Sequence, residues 1–518
     1  MRRKSLHPGF LGKVRCEVRC EIRWPLLWLI LCPLLGSLLM IQQAIAAAPA
    51  EPFKAATFDL KAARKADNLA VHEVPGAMSE AAGVRVREIR FASQRWDEQG
   101  IPSTIHIQAF VAIPSTAQGS QPLPAVVSAH GLGSKADPRD IAELARNLHV
   151  VALSLSAPGS GASEGEAPSP QDPRPIFRAD RDIRASWLYQ YVYAILRAVT
   201  YLETLPEVDK KGIVVTGFSM GGIATFIVGG TDDRVRGILP VAASGGLASA
   251  AEADTWWRRL TLSANGQQPS DPGPRALFRR LDPLAFAAQQ KGAVYMLIGA
   301  QDEYFTLDQV IRTYKALRAP AKTLEVVADY DHGWYFGSGC PAACMPQGKS
   351  ETTNHSATPQ PPANCQQYHC PAACPTLAEP PYCGPEGSYN RHQDFMSRRS
   401  LLLRSLIAQF ASHPKRAFSP APQTPFVQRV REQVVVRIMM DPPPKVVRLA
   451  ISQNAGYTFG QYVLQREYDG AWHYRKPVPA DAILIAEAET ADGATATSVP
   501  VLPRSYQPRV RPFGPAPE

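Results

Sequence analysis

Residues 212–222 read Gly-Ile-Val-Val-Thr-Gly-Phe-Ser-Met-Gly-Gly, and this stretch limits the fold more than any other. Ile213, Val214 and Val215 form a short apolar run suited to a strand buried on both faces. Gly217-Phe218-Ser219-Met220-Gly221 fits the G-x-S-x-G pattern, and Ile223 onward can start a helix. A serine on a tight strand-to-helix turn has a strained backbone, so the residues two before and two after it must be small. Gly217 and Gly221 meet that need. Ser219 then faces the carboxyl edge of a parallel sheet, over a helix N-terminus that favours negative charge. The strand before and the helix after favour a candidate nucleophile over a glycine-rich turn with an incidental serine.

The flanking chain alternates strands and helices around this point. Val84–Phe91 and Thr104–Ile113 alternate apolar and polar residues, with Gly100 and Pro102 between them, and predict a hairpin. Pro124–Ala129 and His149–Leu155 predict buried strands. Residues 180–205 carry helical spacing through Ile183, Trp187, Tyr191, Ile195, Ala198 and Leu202, an aromatic stripe that reads as core. The glycines of 158–165 lack the Lys-Ser/Thr of a phosphate-binding loop and the spacing of a dinucleotide site, so they read as a rim loop. Val235–Val241 and Val294–Gly299 predict further strands, Thr306 caps a helix reaching Leu317, and Leu324–Val327 predicts the last strand. Asp302 follows the strand ending at Gly299, and His332 follows the strand ending at Val327. A serine hydroxyl becomes a nucleophile when a neutral imidazole takes its proton, and a buried carboxylate fixes that imidazole. Asp329 and Asp331 are rivals for the acid, but they lie too close to His332 in sequence to reach its far nitrogen easily.

These residues resemble the α/β-hydrolase superfamily, in the branch of dienelactone hydrolases, acetyl xylan esterases and prolyl-oligopeptidase-type peptidases. The resemblance rests on Pro206-x-Val208-Asp209 leading into Ile213–Gly222, on His130-Gly131-x-Gly133, on Gly299-x-x-Asp302 and on Asp331-His332-Gly333, and it covers about residues 84–412. It implies a doubly wound, mostly parallel sheet and serine hydrolase chemistry on an ester, thioester or amide without a cofactor. The expected trio is Ser219, Asp302 and His332, in the chain order of this fold. The oxyanion would be held by the amides of Met220 and Leu132, with Gly131 letting the backbone approach and His130 shaping the loop. Too few residues precede the elbow for an N-terminal β-propeller.

Several segments depart from that pattern. Residues 1–25 carry seven Lys/Arg and two Glu, so +5 of the net charge of +9 sits there, which argues against a nucleic-acid partner for the rest. An apolar run to Ile41 and Ala44-Ile-Ala46 follow, the pattern of a signal peptide over 1–46; its rival is an uncleaved membrane anchor. The chain is thus expected to be exported, to a periplasm or outside the cell. Residues 47–83 are expected to be a lead-in arm and 84–412 the hydrolase domain. Within it, 243–285 break the alternation and read as a lid, with Trp256 and Trp257 as candidate pocket wall or lid packing. An insert over 338–390 holds Cys340, Cys344, Cys365, Cys370, Cys374 and Cys383, with Cys-Pro-Ala-Ala-Cys repeated. In an exported chain these favour up to three disulfides, and no metal site, over cysteines joined by His355, His369 or His392. A helix closes the hydrolase domain before a Pro-rich linker at 413–425. Strand-like runs over 426–503, with an Asp469-Gly470 hairpin signal, predict a small β-sandwich of immunoglobulin-like type before a disordered tail, 504–518. That region loosely resembles the tail of PhoPQ-activated pathogenicity-related hydrolases; with no catalytic trio of its own, it is expected to serve packing, partner binding or surface binding, and its residues do not identify the partner. Three functions are carried forward: an esterase, a serine peptidase, and a non-catalytic binding protein on the same fold.

Overall fold

A computed structural model describes residues 54–508, apart from 118–120, 170, 254, 329, 331, 333–384, 411–423, 439–442, 454–455, 457–458 and 492. The N-terminal segment and all nine cysteines lie outside the described residues.

The first nine strands are β1 His72–Ala81, β2 Val84–Trp96, β3 Pro102–Pro114, β4 Leu123–Ala129, β5 Val151–Leu155, β6 Val208–Phe218, β7 Val235–Val241, β8 Ala293–Gly299 and β9 Lys322–Val327. They form one sheet in the order β1-β2-β3-β5-β4-β6-β7-β8-β9. The pairs from β1 to β5 by way of β3 are antiparallel, and those from β5 to β9 are parallel. Strand residues alternate between two cores. Ile213 and Val215 of β6 join a cluster with the helices Trp187–Thr204 and Met220–Thr231, whereas Val214 joins one with the helices Pro138–Leu148 and Pro385–Ala408. Burial on both faces explains why the parallel strands read as unbroken apolar runs. Among the described residues, no helix is long and apolar enough to cross a membrane.

The aromatic stripe of 187–202 is core, as expected, but the helix Trp187–Thr204 is buried nearly all round. Its Arg197, 3% exposed, donates to the carbonyls of Ala92, Ala63 and Lys65. That arrangement corrects the lead-in arm. Residues 54–83 are part of the domain: Tyr189 Oη donates to the Thr57 carbonyl at 2.9 Å, Ala56 N–H donates to that of Arg280 at 2.8 Å, and β1 pairs with β2. The buried donors of Arg197 need acceptors, and nothing local in 60–65 announces that role.

The described residues of 243–285 form no strand; they hold the helices Leu247–Glu252, Trp256–Ser263 and Pro272–Arg280, and the start of Pro283–Ala287. Buried Asp282 roots this segment by accepting N–H bonds from Gly246, Leu247 and Leu284 at 3.0, 2.7 and 2.8 Å. Burial pushes its carboxyl up to about 6, while those donors pull the other way.

The C-terminal strands are β10 Phe426–Val430, β11 Gln433–Arg437, β12 Val446–Ser452, β13 Gly460–Val463, β14 Gln465–Arg466, β15 Trp472–Tyr474, β16 Ile483–Glu489 and β17 Thr495–Thr497. They make two antiparallel sheets, β10-β11-β15-β14 and β13-β12-β16-β17, around a shared core that includes Val434, Val436, Leu449 and Leu484. At Leu464, between β13 and β14, the chain passes from one sheet to the other. Gly470, at φ 77°, makes the turn from β14 to β15. The expected tail starts too early: Tyr506 packs against the main core, with its N–H bonded to the Pro503 carbonyl.

Candidate active site

Ser219 ends the turn between β6 and the helix Met220–Thr231 at φ 56°, ψ −116°, the strained conformation expected of it. Its N–H is held by the Val241 carbonyl at 2.9 Å and its carbonyl by Ile223 N–H at 3.0 Å. The flanking glycines are required by space. A Cβ on Gly217 would collide with the Gly221 carbonyl and approach Thr225 Oγ1 to 2.7 Å; one on Gly221 would collide with the Ala129 carbonyl and approach that of His130 to 2.6 Å.

His332 lies just beyond β9 with its imidazole 2% exposed. Its Nε2 accepts from the Ser219 hydroxyl at 2.7 Å, and its Nδ1 donates to Asp302 Oδ2 at 2.7 Å. Asp302 has a fully buried carboxylate, and its Oδ1 accepts the N–H groups of Tyr304 and Phe305 at 2.9 and 3.0 Å. The three residues picked from chain order are therefore in contact. Asp329 and Asp331 lie outside the described residues.

Four neighbours with no role assigned above surround His332. Glu303 Oε2 accepts the backbone N–H of His332 at 2.9 Å. The Tyr304 ring tilts against the imidazole with centroids 4.3 Å apart, and Phe305 and Phe218 close in at 6.0 and 5.6 Å. Burial pushes the Tyr304 phenol well above its ordinary range, so it stays protonated. An acid followed by Glu-Tyr-Phe is a weak signal by itself, because the roles come from a turn that only Asp302 organises.

The loop after β4 passes directly over the nucleophile: a Cβ on Gly131 would lie 3.3 Å from that of Ser219. His130 locks the loop and moves no proton to the site. Its Nδ1 donates to the Gly131 carbonyl at 2.7 Å and its Nε2 accepts from Ala157 N–H at 2.9 Å. Burial pushes His130 down to about 4, against the Gly131 hydrogen bond, so it is neutral at pH 7. Met220 opens its helix, where backbone N–H groups have no intrahelical acceptor, and Leu132 follows Gly131 on the loop.

The tryptophan pair divides. Trp257 is 1% exposed and packs edge-on against Phe278, Tyr304 and Phe305, so it is core rather than pocket wall. Trp256 is half-buried and stacks on Tyr304 at 6.1 Å. Among the described residues, no group of three or more His, Cys, Asp or Glu could hold a metal ion.

Two family models match: acetyl xylan esterase (AXE1) over residues 75–244 and the prolyl oligopeptidase family over 180–340. The chain is an α/β-hydrolase. This α/β-hydrolase falls in the esterase and prolyl-oligopeptidase-like branch, and its enzyme class is serine hydrolase. It is similar to acetyl xylan esterase 1 from Thermoanaerobacterium sp. JW/SL YS485, with 18% identity over 54% of this chain and 90% of that one and a TM-score of 0.43. The acetyl xylan esterase from Paenibacillus sp. R4 matches with 18% identity, 54% and 92% coverage and a TM-score of 0.42. The Pyrococcus horikoshii acylaminoacyl peptidase matches with 14% identity, 50% of this chain, 46% of that one and a TM-score of 0.36. No curated protein matches the chain.

Proposed function

We propose that this α/β-hydrolase is an exported carboxylic ester hydrolase working through Ser219, His332 and Asp302. Ser219 Oγ attacks the ester carbonyl carbon while His332 Nε2 takes its proton, and Asp302 holds the imidazole in the required tautomer. The oxyanion is stabilised by the amides of Met220 and Leu132. Collapse expels the alcohol, which takes the proton from His332. Water, deprotonated by His332, then attacks the acyl-enzyme and releases the acid. No cofactor enters. The observation that carries this reading is the continuous relay of two 2.7 Å hydrogen bonds, Ser219 to His332 to Asp302, in a buried aromatic surround.

Export, to a periplasm or the exterior, is supported by the basic-then-apolar segment 1–46, cleaved or retained as an anchor. The six cysteines of the insert would then pair as disulfides.

Labelling with a fluorophosphonate probe, followed by peptide mapping, tests the chemistry. The adduct is expected on Ser219, and Ser219→Ala is expected to lose it and to lower ester turnover by about 10⁴-fold or more. An unlabelled Ser219 would make the chain a binding protein on a hydrolase fold. The prolyl oligopeptidase match keeps a peptidase as the second reading. A panel of p-nitrophenyl esters against peptide p-nitroanilides decides between them, and faster cleavage of the anilides would favour the peptidase.

A further inference from the structure

The β-region of residues 426–497 has no part in the chemistry above, yet it grips the strand that leads to His332. Among the described residues, β9 is the last strand of its sheet and pairs with β8 on one side alone. Three of its outward backbone groups, on alternate residues, are met by side chains. The Lys322 carbonyl accepts from Tyr314 Oη at 3.4 Å. Val326 N–H donates to Thr497 Oγ1 at 2.6 Å, and the same hydroxyl donates to the Leu324 carbonyl at 3.2 Å. Thr497 is wholly buried on β17.

A second tie crosses the same seam. Arg398 Nη1 bonds Glu325 Oε1 of β9 at 2.5 Å, and its Nη2 bonds Glu487 Oε2 of β16 at 2.7 Å. Arg448 on β12 closes the chain to Glu487 and Glu489 at 2.9 and 2.7 Å. One turn before Arg398, Phe395 stacks on Tyr330 with centroids 4.1 Å apart. The Tyr330 carbonyl accepts from Gln301 N–H at 3.0 Å, beside Asp302. Both segments that supply the imidazole and its carboxylate are therefore tied to residues 395–497.

We propose that the C-terminal β-region is a positioning element of the active site, with Thr497, and Glu487 acting through Arg398 of the helix Pro385–Ala408, fixing β9 so that His332 stays within reach of Ser219. The inference rests on the reading of His332 as the base. A hydroxyl is needed at 497 because one atom must both accept from Val326 and donate to Leu324; valine has the shape without either function.

The full-length protein is assayed as wild type, Thr497→Val and Thr497→Ser, each also in a His332→Ala background, with p-nitrophenyl acetate. Misplacement of about an ångström can cost up to about 100-fold in rate, so Thr497→Val is expected to lower kcat about tenfold with KM within about twofold. Thr497→Ser should recover kcat to within about twofold. In the His332→Ala background, Thr497→Val should change the residual rate by less than about twofold, since the two act through one step. A lower Tm with unchanged kcat would reduce Thr497 to a structural role. An equal loss without His332 would show that it acts elsewhere, and either result overturns the proposal. If Thr497→Val does not accumulate folded, Arg398→Lys, which cannot span Glu325 and Glu487 together, must give the same split between kcat and KM, or the proposal fails. Full activity in Ser219→Ala would instead sink the underlying hydrolase reading, a separate outcome.

Discussion

Ser219 and His332 share a hydrogen bond but are held in opposite ways. Ser219 leaves β6, a central strand paired with β4 and β7, and its geometry comes from the few residues around it. His332 leaves β9, which has sheet on one side only and is steadied from the other by residues far along the chain. The nucleophile is built by backbone sterics at one turn, and the base by side chains drawn from several elements. A local device should break through one methyl group and a distributed one through loss of bulk, and three experiments sharpen that contrast.

The largest effect is expected on the distributed side. Trp257→Ala removes the indole that backs Tyr304 and Phe305, the rings against His332. It should cost about 3–5 kcal/mol in urea unfolding, the usual range for a buried tryptophan. Trp256→Ala, at a half-buried neighbour, should cost under about 1.5 kcal/mol. Equal losses would contradict the assignment of Trp257 to the core.

Gly221→Ala comes next. Its methyl group would run into the backbone of Ala129 and His130, costing about 3 kcal/mol at the upper end of overpacking. Fluorophosphonate labelling of the folded fraction should nevertheless fall about 100-fold, because the displaced backbone carries the nucleophile. Labelling at the wild-type rate would show that the elbow tolerates what its geometry forbids.

The smallest effect belongs to His130, which fixes the loop over Ser219. Its folded value of about 4 lies below the ordinary 6.5, so the unfolded chain binds the extra proton between those limits. Its contribution is complete above pH 6.5 and is lost as pH falls toward 4, by about 2 kcal/mol at pH 5. Urea titrations at pH 7 and pH 5 should show this fall in the wild type and a smaller one in His130→Ala; parallel slopes would refute it.

The same contrast decides how much could be read from the residues in order. The elbow was legible because Gly217, Ser219 and Gly221 express a rule spanning five positions, and the parallel strands because burial on both faces leaves an apolar run. Asp302 and His332 were legible from their places after β8 and β9. Glu303 and Tyr304 were not, because their roles depend on a turn closing around one carboxylate. The start of the sheet at His72 was not legible, because Pro75 and Gly76 interrupt β1 and leave it no regular alternation. Thr497 gave no signal, since a threonine in a short polar run has no mark of a partner 171 residues away.

Thr497 also governs how the sheet ends. A bare outer strand offers its N–H and carbonyl groups to any extended segment that drifts by, which is how soluble proteins begin to associate edge to edge. On β9 the Lys322 and Leu324 carbonyls and the Val326 N–H are met by two hydroxyls from the same polypeptide. Each group taken in this way is one fewer for a tenth strand from a neighbouring molecule to pair with, a guard made of side chains rather than of a covering helix.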